Sequence, residues 1–399
     1  MAREKLKIGI ILLHHGSGSP GTFVRTKSIS VALTKYNVEL HIFSPFVDYW
    51  GDNIYFHKLD LVGSKNLESK SYSVFRKFLS YRFFNYFNPL LLKIMIKSLS
   101  RQISYLLDKL EIDVLEGEQE LGSVIGIEAI KRSKSKPVMV SSLHNSWYAE
   151  TMYENLCTVN YCNYIKKIEN IIFNESDFIT VPSKYFMEYL KHLGVEKPIY
   201  HVPLGGFVYD VKQKTNVSKF RIVHAGIIEP RENVELFINS IKYLTDYKNL
   251  EFYISNRGSH FYKIMQMAKR LEIPLKVYTW FEKYSDYVEF MMNSHIGIVT
   301  SKNTLPRKLG PATKMFDYMS FGLPIVVNNI NSWSKLIREY QLGYLTNDDP
   351  NEFSEAIISI IQSPEKIKIF GNNGLSLIRN KYNWNKIGFD LYNIFLKYL

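Results

Sequence analysis

Two cysteines, Cys157 and Cys162, are all that the 399 residues contain, and neither has a histidine or a second cysteine pair nearby. That argues against a disulfide framework or a cysteine zinc site, and makes a reducing, cytoplasmic location the expectation. Long apolar runs are missing too. The nearest, PLLLKIMI, is broken by Lys93 and followed by Lys97, so no segment reaches the roughly 20 residues of a membrane-spanning helix. The opening MAREKLKIGIILLHHG imitates a signal peptide, yet its apolar run is short and no small-residue cleavage site follows; it reads as a first strand. Acidic residues are in deficit: 38 against 50 basic ones leave a formal charge of +12, which fits an anionic partner such as nucleic acid, a phosphorylated small molecule or a membrane surface. The basic residues are dispersed and no nucleic-acid motif accompanies them, so nucleic acid is set aside.

What is present is an alternation of apolar β-branched runs with amphipathic stretches, the pattern of parallel strands joined by crossover helices. KIGIILL, VELHIF, IDVLEG, PVMVSSL and FITVP read as strands of a first half; FRIVHAG, LEFYISN, LKVYT, IGIVT and LPIVVN repeat the pattern in a second. The turn-rich stretch PLGGFVYDVKQKTNVSKF lies between them. The expectation is an α/β chain of two Rossmann-like, doubly wound parallel-sheet domains, 1–205 and 206–380, with a terminal helix over 381–399. In such sheets ligands bind beyond the carboxyl ends of the strands, which is where chemistry is sought.

The first strand runs into HHGSGSPGTF and then a helical VRTKSISVAL. A glycine-rich turn of this kind offers backbone N–H groups to an anion, and serves any tight reversal equally well. IDVLEG places Glu116, Glu118 and Glu120 at a strand end, and PVMVSSL is followed by His144. Such acids form a solvated cluster as readily as a site, and such a histidine packs as readily as it binds a sugar hydroxyl. In the second half Gly226 follows FRIVHA, with Arg231 close to a helix start. The stretch PATKMFDYMSFGLPIVV spaces Lys314 and Asp317 three apart, on one face of a helix that starts after Pro311 and stops at Gly322. A diphosphate could rest on Lys314 and the helix N-terminus while Asp317 accepts from a vicinal diol such as ribose. A dipole-complementing Asp317 beside a solvated Lys314 has the same spacing.

These stretches, in this order, resemble the GT-B glycosyltransferases, in particular family 4 (glycosyl transferases group 1), over nearly the whole chain. PGTFVRTKSISVAL resembles the family's Gly-Gly turn and first helix, with Gly21 matching the second glycine; SSLHN resembles the strand that ends in a histidine near the transferred sugar, His144. FRIVHAGIIEPRENVELFI is similar to the start of the nucleotide-binding domain, and PATKMFDYMSFGLPIVV to the motif P-x-K-x-x-E-Y-M-x-x-G-x-P. Asp317 stands where the family has Glu, and Leu309 where it has an earlier Glu. Ile227, Glu232 and Asn233 stand where it has Arg and Lys-Gly, which assigns cationic support to Arg231, Arg257 or Lys314.

The resemblance implies a nucleotide-sugar-dependent hexosyltransferase of the EC 2.4 class, acting with retention, with the cleft between the two domains. Asp317 would hold ribose, and Lys314, Arg231 and Gly226 the diphosphate side. Gly21 would lie under the diphosphate or the acceptor, His144 would meet the donor sugar, and Glu118 would receive the acceptor proton. No cofactor and no metal is expected; Asp348 and Asp349 in TNDDP read as helix caps. The acceptor is expected to be a glycan or lipid-linked molecule, and KSYSVFRKFLSYRFFNYFNPLLLKIMIK interleaves aromatic and basic residues as a surface on the anionic inner face of a membrane does, or as a core does. Leu309 and the missing Lys-Gly favour an alternative, a catalytically inactive GT-B-like binding or scaffold protein.

Overall fold

The computed structural model describes residues 5–13, 20–60, 89–153, 158–211, 219–279, 281 and 283–399. The chain divides into two units, Met1–Pro203 with Trp384–Leu399, and Leu204–Asn383. Each is built on a wholly parallel sheet. The first comprises β1 (Leu6–Ile11), β2 (Val38–Ser44), β3 (Ile54–Lys58), β4 (Val114–Glu118), β5 (Val138–Ser142), β6 (Phe178–Val181) and β7 (Ile199–His201), in the order β3-β2-β1-β4-β5-β6-β7. The second comprises β8 (Phe220–His224), β9 (Leu250–Ser255), β10 (Leu275–Tyr278), β11 (Ile296–Val299), β12 (Ile325–Asn328) and β13 (Gly343–Thr346), in the order β10-β9-β8-β11-β12-β13. Both orders reverse direction once, between β1 and β4 and between β8 and β11. A crevice opens where the connections diverge to opposite faces of a sheet, so these two places carry the candidate sites.

Central strands are buried on both faces and mostly apolar, with the polar residues at their carboxyl ends: β11 and β12 are buried at every residue, and so is β4, which ends Glu116-Gly117-Glu118. Edge strands are covered on one side only. β3, β7 and β13 are largely half-buried or exposed, and all three escape the apolar-run pattern that marks the other ten.

The helix Trp384–Phe395 belongs to the first unit, where Trp384, Ile387, Leu391 and Phe395 join the core of β1 and β2. Gly388 lets it lie against the helix Pro20–Leu33: a Cβ there would stand 2.6 Å from Ala32 Cβ. Tyr392 stacks on Tyr36 alongside, centroids 4.9 Å apart. Cys162 is buried on the helix Val159–Glu175 and is disulfide-bonded, where the sequence argued against a disulfide framework. His14, His15, Gly16, Gly18, Cys157 and the aromatic-basic stretch through residue 88 lie outside the described residues.

Candidate functional site

In the second unit, the helix Thr313–Ser320 begins two residues after Pro311 and ends before Gly322, whose φ of 62° closes it in the left-handed region. Tyr318 roots this helix at the switch point. Its hydroxyl accepts from Ala225 N–H at 2.8 Å and lies 3.1 Å from the carbonyls of Val223 and Ile298, thereby satisfying backbone groups where β8 and β11 part. Gly297 leaves room for the ring; a Cβ there would meet Tyr318 Cδ2 at 2.3 Å.

That anchoring sends Lys314 and Asp317 to different neighbours. Lys314 Nζ donates to Glu232 Oε2 at 3.0 Å and to His224 Nε2 at 3.3 Å. Glu232 also contacts Arg307, and Arg231 Nε lies 4.0 Å from its carboxylate. Burial, with Arg307 and Arg231 adding repulsion, draws Lys314 down to about 7. Asp317 Oδ2 accepts from Tyr287 Oη at 3.1 Å. Burial pushes Asp317 up to about 6, while the Tyr287 bond holds it back. Gly226, at φ 111°, lies against Lys314: a Cβ added there would stand 3.5 Å from Lys314 Cε. Its N–H is given to Tyr278 Oη at 3.2 Å, so the glycine supplies room beside Lys314 rather than an open amide. Arg257 meets the same loop through its carbonyl, which accepts from Ile228 N–H at 2.7 Å.

In the first unit, Gly21 lies in the first turn of the helix Pro20–Leu33, and the following residues reach the end of β4. Glu118, 2% exposed, accepts from Thr26 Oγ1 at 2.8 Å and faces His144 Nε2 at 2.8 Å and Arg25 at 3.6 Å. Arg25, equally buried, also donates to Ser142 Oγ at 3.1 Å. Gln119 donates to Thr22 Oγ1 at 3.0 Å, and Thr22 Oγ1 lies 3.3 Å from His144 Nδ1. Nε2 also lies 3.2 Å from Arg25 Nη1, so this ring nitrogen stands between a carboxylate and a cation. Burial first, and Arg25 next, keep His144 below its ordinary value, while Glu118 pulls the other way. Glu118 itself is held low by His144, Arg25 and Thr26 against the larger effect of burial, and Glu116 is pushed up to about 7 by burial and by Glu118. Glu118 is thus enclosed by Thr26, His144 and Arg25, and His144 is the member of the group with the most exposure.

The remaining acids have structural work. Glu120 accepts from Trp147 N–H at 2.9 Å, at the start of a helix. Asp349 accepts from Asn351 and Glu352 N–H and caps the helix Pro350–Ile361, and Asp348 accepts from Asn328 Nδ2 at 2.6 Å. Sequence reasoning missed Arg25, His224, Tyr287 and Arg307. His224 and Arg307 were findable, as a polar residue ending an apolar strand and a cation in the short helix Leu305–Leu309 that follows β11. Nothing in the pattern of a helix face marks Arg25 or Tyr287.

Two parallel-sheet units with charged clusters at their switch points define the GT-B fold. Residues 209–376, within the second unit, match the family model described as Glycosyl transferases group 1. The chain is 25% identical over 221 residues to TuaH of Bacillus subtilis (strain 168), whose name assigns it to teichuronic acid biosynthesis as a glycosyltransferase. The match covers 53% of this chain and 52% of TuaH, so the chain spans about half the length of that relative. Among solved structures, it is similar to sucrose-phosphate synthase (tll1590) from Thermosynechococcus elongatus, with a TM-score of 0.78 at 12% identity over 99% of both chains. It is also similar to Anabaena Alr3699/HepE in complex with UDP-glucose, with a TM-score of 0.70 at 13% identity over 99% of this chain and 100% of that one. These likenesses show the fold.

Proposed function

We propose that this protein is a nucleotide-sugar-dependent glycosyltransferase, and that the second unit holds the donor. The observation that carries the reading is the helix Thr313–Ser320, which presents Lys314 within a cation cluster and Asp317 beside Tyr287 at one switch point. Lys314, Arg307 and Arg231 meet the diphosphate, and Asp317 accepts from the ribose diol. In transfer, the bond from the anomeric carbon to the diphosphate oxygen breaks and one to the acceptor oxygen forms; the acceptor's proton leaves with the diphosphate or to solvent. Charge grows on the departing diphosphate, and fixed cations there stabilise it without a divalent ion. His144 serves the sugar through its Nδ1 edge, the more loosely held of its two nitrogens. Family resemblance supports retention, and HepE's ligand and TuaH's name support a UDP-sugar donor and a cell-envelope glycan or lipid-linked acceptor.

Among the described residues no helix is long and apolar enough to cross a membrane. Exposed Leu90, Leu91 and Ile94, interleaved with Lys93 and Lys97 on the helix Pro89–Leu110, support a peripheral position on an anionic, cytoplasmic face. A thermal-shift panel of nucleotide sugars tests the reading, since a ligand at a hundred times its dissociation constant adds about 2.7 kcal/mol. No shift with any of them would sink it. Leu309, fully buried where the family has a carboxylate, favours a second reading as an inactive binding protein, for which a shift without diphosphate release is the signature.

A further inference from the structure

Glu232 is a carboxylate set inside a group of cations, and its backbone is fixed there. Thr300 Oγ1 donates to the Glu232 carbonyl at 2.7 Å, and Ser301 Oγ and Lys302 N–H to the Arg231 carbonyl at 3.1 and 2.9 Å. From this pinned turn Oε2 reaches Lys314 and Oε1 reaches Arg307, with Arg231 at 4.0 Å. The side chains of Glu232, Lys314 and Arg307 are 12%, 11% and 19% exposed, so solvent screens them poorly. With Lys314 protonated, three cations around one carboxylate leave a surplus of two positive charges, the complement of a nucleotide sugar's diphosphate. Lys314 and Arg307 each have a limited set of donors, and an anion arriving between them has to take donors that Glu232 now occupies.

We propose that Glu232 is a built-in counter-anion of the donor site, holding Lys314 and Arg307 when no nucleotide is bound and yielding them to an incoming diphosphate. It thereby sets a ceiling on nucleotide affinity and favours release of the nucleoside diphosphate after transfer. The inference rests on the reading of the second unit as a nucleotide-sugar site.

Calorimetric titration of the full chain with UDP and with inorganic pyrophosphate tests it, using wild type, Glu232→Gln, Glu232→Ala and Lys314→Met. Removing the competing carboxylate should tighten both ligands about tenfold, with a steeper loss of affinity as salt rises, whereas Lys314→Met should weaken both. The second Glu232 variant guards against a failure of the first to fold, with thermal melts showing which are native. Wild-type binding that is equal or stronger than that of a folded Glu232 variant would overturn the counter-anion and leave the site reading intact. Wild type that binds neither ligand would overturn the site reading, and this inference with it.

Discussion

At the scale of single residues, the donor site depends on two groups whose ionisation burial has shifted toward neutrality. Asp317→Ala should weaken nucleotide-sugar binding by about 1.5–3 kcal/mol in a protein that still folds, the range for hydrogen bonds to a charged group. Unchanged affinity, measured by titration, would remove Asp317 from the site. The pH dependence has a sign on each side. Asp317 is pushed up to about 6 by burial, so its ribose-binding carboxylate is lost as pH falls through that value. Lys314 is drawn down to about 7 by burial and its arginine neighbours, so its charge is lost as pH rises through that value. Affinity should therefore peak between them. Tyr287→Phe removes the hydrogen bond that favours the Asp317 carboxylate and should move the acid limb to higher pH, which a titration series at fixed ionic strength would read.

Glu116 provides a stability counterpart. Its folded value, about 7, lies above that of an unfolded chain because of burial and Glu118. Its contribution to stability is thus complete below the ordinary glutamate value and lost as pH rises through about 7. Glu116→Gln should stabilise the protein at pH 8 by an amount on the order of 1–3 kcal/mol and by much less at pH 5, as urea melts would show.

Among the elements, the helix Thr313–Ser320 matters through its attachment. The Tyr318 hydroxyl bridges the ends of β8 and β11, so Tyr318→Phe buries an unanswered Ala225 N–H and should cost about 1–3 kcal/mol without touching either charged residue. A melting curve indistinguishable from wild type would refute that bridge. The edge strands show how far an element is readable in sequence. β3, β7 and β13 have at most one covered face, and a half-buried four-residue strand has too few apolar positions to stand out from a loop. The central strands, mostly apolar because helices cover both faces, were readable to within a residue or two at most ends.

For the whole molecule, the proposed chemistry leans on side-chain cations. Transfer should survive excess chelator, and loss of activity restored by manganese or magnesium would contradict the proposal that Lys314, Arg307 and Arg231 take the role of a divalent ion.

What the sequence determined by itself was everything that follows from local order along the chain: two successive β-α arrays, the strand ends where chemistry gathers, the Lys314–Asp317 spacing set by helical pitch, and the capping role of Asp349. Tertiary structure decided which of those charges meet. Glu118 is far in sequence from residues 25 and 144, as Glu232 is from 307 and 314, and whether a carboxylate faces water, a histidine or two cations depends on side-chain directions that only the packed sheets impose. Glu118 and Glu232 therefore look alike in the sequence, each an acid after a strand. Folding encloses the first behind His144 and sets the second among the cations proposed to hold the donor.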